Sequence, residues 1–376
     1  MKKTFTTLID QIIRYKLSKN NIFQWIGIAI FILFTSIFYI SSPLGAAPLD
    51  EFLVADPGYP PGRGEVEVVW DMMNDYVDLF NVKKADPRGD HIGNFSGGHV
   101  RAGISLSERI WIDGALWKNG ITTPYADEEN LTIQGGIQLR LTQNIDWLPA
   151  MAIRVSGWKD TGDDVYKGSP TSLQLNGYTV TADTVQITNP SDQQAQLDLI
   201  MTWKIGDNIG FSIFGGAGRS KVDFSDLNSA SITVNWPDGS YIQLPDFSLT
   251  STSFLSDEKK SLLKSTIAYD ASYKQMGTMI QWTGEKWRTR WGYRFMSLDR
   301  DVDEIIAMIG KNIYDTNHTL SAEVGYRFTD SLGIFVRGKV MKNQFVGEVP
   351  MSYNAFSSHK FEDPYGIVSI GLSGGF

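Results

Sequence analysis

The 376-residue sequence contains no cysteine and only four histidines. The absence of cysteine excludes a disulfide framework and any thiolate metal site. The scarcity of histidine leaves little material for acid–base catalysis, in which histidine is the most frequent proton-transfer side chain. In contrast, the chain is rich in glycine (36 residues) and in aromatic residues (11 Trp, 15 Tyr and 20 Phe). That mixture is typical of proteins with many strands and tight turns.

An apolar run covers residues 22–40 near the start of the chain. Cationic residues precede the run, and the small residues Gly45, Ala46 and Ala47 follow it. This pattern predicts a secretory signal peptide over residues 1–47. A retained membrane anchor is the alternative, because the run is close to the roughly 20 residues that span a bilayer. Without residues 1–47 the chain has 29 Lys and Arg against 41 Asp and Glu, a net charge of −12 that argues against nucleic acid as a partner.

Residues 48–64 are rich in proline and glycine and predict an extended periplasmic leader. From residue 99 onward, pairs of segments with alternating apolar and polar residues are joined by short polar turns, which predicts β-hairpins. The predicted hairpins are 100–106 with 110–117, 131–141 with 148–155, 195–205 with 209–217, 273–282 with 287–295, and 320–328 with 332–340. Longer polar connections separate the pairs, the first of them about 12 residues long after Trp117.

The final segment, from Gly366 to Phe376, is a further strand. Val368, Ile370, Leu372 and Phe376 share one face, and small residues occupy the other. An aromatic residue at the end of such a strand resembles the closing strand of Gram-negative outer-membrane β-barrel proteins, a porin-like class in which the terminal Phe serves as an assembly signal. The resemblance implies location in the cell outer membrane. It also implies contact with outer-membrane lipid and lipopolysaccharide, and with the barrel-assembly machinery through Phe376.

The fold class is therefore predicted to be all-β, a transmembrane antiparallel up-and-down β-barrel over residues 65–376 with short periplasmic turns and long extracellular loops. The five hairpins and the closing strand give eleven strands, which is an odd number. A strand at Glu65–Met72 restores the even number that two periplasmic termini require, and so favours twelve strands. Ten and fourteen remain alternatives. Hairpin-like pieces at 172–187 and 231–245 are interpreted as β-structure projecting beyond the membrane.

Alternation predicts that a set of basic side chains faces the lumen. The candidate constriction consists of Arg140, Lys204, Arg288, Arg290, Arg294, Arg327, Arg337 and Lys339. Rings of Arg or Lys favour anions, so this set predicts an outer-membrane channel for small polar or anionic solutes. In the alternative interpretation, the cations pair with inward carboxylates such as Glu323 and fill the lumen.

Two other functions remain open at this stage. One is a non-conducting barrel whose long loops bind a ligand or partner. The other is a hydrolase at the rim, because Asp299, Asp301, Asp303 and nearby His318 are loosely similar to the rim carboxylates of the ten-strand omptin proteases. His99 is the other histidine at the rim, but it lies four strand positions from His318, about 19 Å at about 4.8 Å per strand. We therefore predict no enzyme activity, no cofactor and no metal site.

Overall fold

The computed structural model describes residues 51–73, 94–122, 127–145, 147–168, 170–175, 178–253, 255–342, 353–355, 358 and 365–376. The strands, in chain order, are β1 (Gly64–Met73), β2 (Asn94–Ser105), β3 (Ile110–Thr122), β4 (Asp127–Thr142), β5 (Ala150–Gly162), β6 (Val165–Lys167), β7 (Thr171–Leu175), β8 (Tyr178–Ala182), β9 (Val185–Thr188), β10 (Ser191–Ile205), β11 (Ile209–Asp223), β12 (Asp226–Asn235), β13 (Tyr241–Ser248), β14 (Tyr269–Thr283), β15 (Trp287–Arg300), β16 (Thr316–Arg327), β17 (Leu332–Lys342) and β18 (Tyr365–Gly375). Two short helices, α1 (Asp257–Lys264) and α2 (Asp301–Met308), lie in the connections. Within these residues, neither helix is long and apolar enough to cross a membrane.

Twelve of the described strands form a closed antiparallel barrel in the order β1-β18-β17-β16-β15-β14-β11-β10-β5-β4-β3-β2. The seam closes where β1 pairs with both β18 and β2, and Val68 lies opposite Leu372 on one side and Val100 on the other. The predicted strand at 65–72, the five hairpins and the count of twelve are confirmed. Closure leaves no unpaired strand edge in the wall, as a transmembrane sheet requires.

The connections differ sharply between the two ends of the barrel. At the end where β1 begins, the hairpin turns contain three to seven residues, whereas β5 and β10 or β11 and β14 are joined by connections that hold further strands. The predicted connection after Trp117 is shorter than expected, because β3 continues to Thr122 and β4 begins at Asp127. Both strands continue their hydrogen-bonded ladder beyond the apolar part of the wall.

The outward face of the wall is apolar and exposed. Ile133, Ile137, Leu197 and Val336 are each between 49% and 58% exposed, although they would be core residues in a soluble protein. Exposed aromatic residues lie beside the short turns: Trp282, Trp287, Trp291 and Phe328. A closed barrel with an apolar outer band and interfacial rings is an outer-membrane β-barrel.

The long connections fold into ordered structure beyond the barrel. Strands β6, β7, β8, β9, β12 and β13 form a second, six-stranded sheet, which confirms the predicted β-structure at 172–187 and 231–245. Ile187, Phe224, Ile232 and Phe247 are buried in a common core of this sheet. In another connection, Val302, Ile305 and Ile306 of α2 pack against Met341 and Ile367 of the barrel wall.

Candidate functional site: a filled and charged lumen

Residues 51–63, here called the lumen segment, precede β1, and the first five of them lie inside the barrel. Glu51, Phe52, Leu53, Val54 and Ala55 are at most 3% exposed. The sequence predicts a periplasmic leader here, but every wall residue that this segment contacts lies on the inward face of its strand. The segment therefore occupies the space that a solute would cross.

Apolar side chains anchor the lumen segment to two patches of the wall. Leu53 and Ala55 are buried in a cluster with four wall residues, Ala150, Ala152, Ile200 and Phe214. Phe52 and Val54 pack with Met279 in a second cluster.

Polar contacts to the main chain of the lumen segment come from wall side chains. The amide of Ala55 donates to Oγ1 of Thr202 at 2.8 Å. Nε2 of Gln138 donates to the carbonyls of Val54 at 2.9 Å and Ala55 at 3.0 Å. These bonds satisfy buried backbone groups without adding the segment to the sheet as a strand.

The charged side chains of the lumen segment face basic residues of the wall. Oε1 of Glu51 lies 3.4 Å from Nη2 of Arg294 and 3.8 Å from Nζ of Lys339. Nearer the short turns, the carboxylate of Asp56 forms an ion pair with Arg140. Arg140, Arg294 and Lys339, the segment-paired cations below, thus form ion pairs with a segment that is not part of the wall.

The lumen segment ends in a tight turn that leads into β1. Gly58 and Gly62 have φ values of +80° and +79°, which only glycine adopts without strain. The ring of Tyr59 stacks on Trp111 at 5.3 Å between centroids, and its hydroxyl donates to Glu65 at 2.5 Å. The chain therefore reverses at the barrel mouth, so that residues before the turn point back into the lumen.

A second group of charges, the wall cluster, is built entirely from strand residues: Glu67, Arg288, Arg290, Glu323 and Arg337. Glu323 accepts from Arg290 at 2.6 and 3.0 Å, from Arg288 at 3.0 Å and from Arg337 at 2.8 and 3.1 Å. Glu67 lies 3.4 Å from Arg337 and 3.9 Å from Arg290. All five side chains are at most 7% exposed.

The wall cluster also supports the lumen segment. The ring of Phe52 lies 4.7 Å from the guanidinium carbon of Arg290 and 5.9 Å from that of Arg337. Cation–π contacts of this kind strengthen when they are shielded from water. The aromatic side chain of the segment therefore packs on the charged wall as well as on Met279.

The opposite wall carries its own ion pairs. Arg154 binds Asp113 through two hydrogen bonds of 2.6 and 2.9 Å, and Nη2 of Arg101 lies 3.6 Å from the same carboxylate. Trp111 donates to Asp113 at 3.1 Å. Arg101 and Arg154 are each 1% exposed, so these guanidiniums fill the lumen next to their carboxylate.

The eight predicted constriction residues do not form one ring. Arg288, Arg290 and Arg337 belong to the wall cluster, whereas Arg140, Arg294 and Lys339 face the lumen segment. Arg327 donates to the carbonyls of Gly284 and Glu285 in a short turn, and Lys204 is exposed beside another turn. Glu51, Phe52 and Asp56 were not predicted to lie in the lumen, because their proline- and glycine-rich surroundings carry no strand periodicity.

His99 belongs to a second kind of cluster in the lumen, which the sequence did not predict. Nδ1 of His99 lies 2.5 Å from Oδ2 of Asp71, and Ser369 donates to the other carboxylate oxygen at 2.5 Å. Nε2 of His99 is buried without a hydrogen-bond partner. The three residues tie the closing strands β18, β1 and β2 together at the seam.

The predicted rim residues are not brought together. His318 contacts Tyr293 and Phe295 on the outward face, with a 2.8 Å bond between Nδ1 and the Tyr293 hydroxyl. Asp303 accepts instead from Tyr353 and Arg300 at the base of α2. Burial raises the pKa of Asp303 and raises the pKa of the Tyr353 hydroxyl to about 12. No group of three or more His, Asp or Glu side chains suited to a metal ion is found among the described residues.

Comparisons with known proteins support no closer classification. No protein-family model matches the chain, and no curated protein matches it. Among solved structures, it is similar to a NanC porin (8% identity, 82% of this chain and 98% of that one, TM-score 0.39) and to the CymD monoaromatic hydrocarbon channel (10%, 85% and 89%, 0.40). It is also similar to the beta domain of the Bordetella autotransporter BrkA (8%, 84% and 100%, 0.40). These scores and identities assign the chain to no family.

Proposed function

We propose that this protein is an outer-membrane channel for small polar or anionic solutes, and that the lumen segment closes it in the state seen here. The observation that carries this proposal is the placement of the segment-paired cations, Arg140, Arg294 and Lys339. Wall arginines that only filled the lumen would pair with wall carboxylates, as the wall cluster does. These three instead face carboxylates on a segment that can leave.

The way the lumen segment is held supports its withdrawal. Among the described residues, its buried main chain is bound by the side chains of Gln138 and Thr202 and adds no strand to the sheet. In the described part of the chain, its backbone bonds to the sheet are confined to its last two residues, Gly62 and Arg63, which bond to Ser105 of β2. Withdrawal of residues 51–57 from the lumen therefore breaks no inter-strand ladder, and the barrel remains closed around an empty lumen. The segment-paired cations would then face water and attract anions.

A disulfide lock tests the proposal, because the chain has no native cysteine. Ala55 and Thr202 are joined by a 2.8 Å hydrogen bond, so cysteines at both positions (Ala55→Cys with Thr202→Cys) are close enough to bridge. In planar bilayers, the oxidised protein should give no single-channel steps and the reduced protein should give them. The single variant Ala55→Cys is the matched control and should not respond to reductant.

Ion selectivity provides the second measurement. In a potassium chloride gradient, the reversal potential of the unlocked channel should favour chloride, and Arg294→Ser with Lys339→Ser should shift it towards potassium. Folding of each protein is verified by its heat-modifiable migration on gels. Folded protein that shows no steps in the reduced state would remove the channel proposal.

A non-conducting barrel with a binding surface is the second candidate function. The six-stranded sheet beyond the barrel favours it, because its own core makes a stable platform out of residues that could have been flexible loops. For this candidate, locked and unlocked proteins are equally silent in bilayers. The two functions are therefore separated by the same recording.

The proposal includes the targeting and assembly features of the sequence. The predicted signal peptide, residues 1–47, lies outside the described residues, and cleavage after Ala47 would leave three residues before Glu51. The apolar outer band contacts lipid and, in the outer leaflet, lipopolysaccharide. Phe376 is proposed as the signal for the barrel-assembly machinery.

A further inference from the structure

The inner wall of the barrel has a hollow at Gly292, beside the start of the lumen segment. An ideal Cβ on Gly292 would lie 2.1 Å from the carbonyl oxygen of Glu51, so only glycine permits this approach. Gly292 of β15 pairs with Ser321 of β16, which in turn pairs with Lys339 of β17. The three residues form one row across the inner wall, and Gly292 at one end of the row lies against the main chain of Glu51.

Three hydrogen-bond donors surround this hollow. Arg294 and Lys339 direct their cationic groups at Oε1 of Glu51 from two different strands. The hydroxyl of Ser321, which lies between Gly292 and Lys339 in the row, is fully buried and has no hydrogen-bond partner. A buried hydroxyl without a partner costs free energy, which a ligand that accepts its hydrogen bond would recover.

Glu51 fits this set of donors incompletely. Its distances of 3.4 and 3.8 Å to the two cations exceed the range of about 2.7–2.9 Å for charge-assisted hydrogen bonds. Oε1 of Glu51 is buried and accepts no hydrogen bond. Glu51 is attached to a segment anchored by Phe52 and Leu53, whereas a free carboxylate can approach the two cations without that constraint.

We propose that Gly292, Arg294, Ser321 and Lys339 form a carboxylate-binding subsite, and that Glu51 occupies it as an internal substitute for a carboxylate solute. A planar guanidinium, an ammonium and a hydroxyl match the two oxygens and single charge of a small monocarboxylate. The inference rests on the proposed channel function for the route by which a solute reaches the subsite. Binding at the subsite is measurable without any current.

Competition with Glu51 is the test, with acetate as the probe. In the full-length variant with Ala55→Cys and Thr202→Cys, the rate of disulfide formation in the presence of diamide reports how often the lumen segment is seated. Sodium acetate should slow this reaction several-fold relative to sodium chloride at equal ionic strength. Sodium phosphate is the comparison for anions in general, and equal slowing by phosphate would overturn a site specific for carboxylates.

Substitutions in the same double-cysteine background assign the effect to the subsite. Lys339→Gln and Ser321→Ala should each bring the ratio of the rates in chloride and in acetate close to one. Lys286→Gln, which removes an exposed lysine from a short turn, is the matched control and should leave the ratio unchanged. An unchanged ratio in Lys339→Gln would overturn the subsite, whatever the conductance measurements show.

A steric substitution tests the hollow itself. Gly292→Ala adds a methyl group that overlaps Glu51, and it should reduce disulfide formation about tenfold. Gly338→Ala is the matched control, because its Cβ would meet no atom within 4 Å. Normal cross-linking in Gly292→Ala would overturn the geometry of the subsite. A positive acetate effect without channel steps would overturn the channel function alone.

Discussion

The wall cluster and the segment-paired cations lie on the same inner wall, yet they differ in how their charges are neutralised. In the wall cluster, Glu323 binds three arginines at 2.6–3.1 Å, and all partners belong to strands of the barrel. Arg294 and Lys339 instead face Glu51 at longer distances, on a segment outside the sheet. The first arrangement joins strands of the barrel to one another, whereas the second joins wall cations to a segment outside the sheet.

The largest expected effect comes from breaking the wall cluster. Glu323→Gln removes the carboxylate that binds Arg288, Arg290 and Arg337, and removing one partner of a buried pair costs about 3–5 kcal/mol. The urea midpoint of unfolding in lipid vesicles should fall accordingly. Glu51→Gln, the same change in the other group, should shift the midpoint far less. Equal shifts would contradict the distinction between the two groups.

Next in size is the loss of the aromatic anchor of the lumen segment. Phe52→Ala removes packing against Met279 and the cation–π contact with Arg290. Truncating a buried Phe costs about 3–5 kcal/mol in a core that cannot open. Here the lumen segment can leave the barrel, so the loss of stability cannot exceed the free energy with which the segment binds in the lumen. The frequency of channel openings should rise strongly while the urea midpoint stays nearly constant. A large midpoint shift without openings would show that the segment is a structural part of the barrel.

A smaller effect is expected at the ion pair nearest the short turns. Arg140 and Asp56 have side chains that are 12% and 26% exposed, so their pair should contribute no more than about 1 kcal/mol. Arg140→Gln should slow disulfide formation between cysteines at positions 55 and 202 at low salt, with little effect at high salt. Lys286→Gln is the control. If disulfide formation slows equally at low and high salt, Arg140 acts by packing and not by its charge.

The smallest effect is expected at Lys204, which the sequence analysis included in the constriction. Its side chain is exposed beside the turn between β10 and β11. Lys204→Ser should therefore leave the reversal potential of the unlocked channel unchanged. A shift as large as that of Arg294→Ser with Lys339→Ser would restore the single cationic ring that the sequence predicted.

The barrel was predictable because its signals are local. Period-two alternation in segments such as 131–141 identifies strands, and short polar turns identify hairpins. The parity of two periplasmic termini also predicted a strand at Glu65–Met72, which the structure shows as β1 (Gly64–Met73). Inward orientation of Arg288, Arg290 and Arg337 follows from the same period.

The interior of the barrel was not predictable in the same way. Residues 51–63 have no periodicity, and their proline and glycine content is equally suited to a solvent-exposed leader. Their place in the lumen depends on contacts with residues far along the chain, such as Gln138 and Thr202. Composition and spacing contain no information on such pairings.

By itself, the sequence determined the barrel class, its hairpins and its apolar outer face, because each follows from the chemistry of neighbouring residues along a strand, and the structure chose twelve strands over ten or fourteen. Only the tertiary structure decided which lumen charges face each other. Glu323 neutralises wall arginines because strand register places it between them, and Glu51 meets Arg294 because a glycine turn directs the segment back into the barrel. Charge partners in a lumen are set by register and chain reversal, and neither is encoded in the sign or number of the charges.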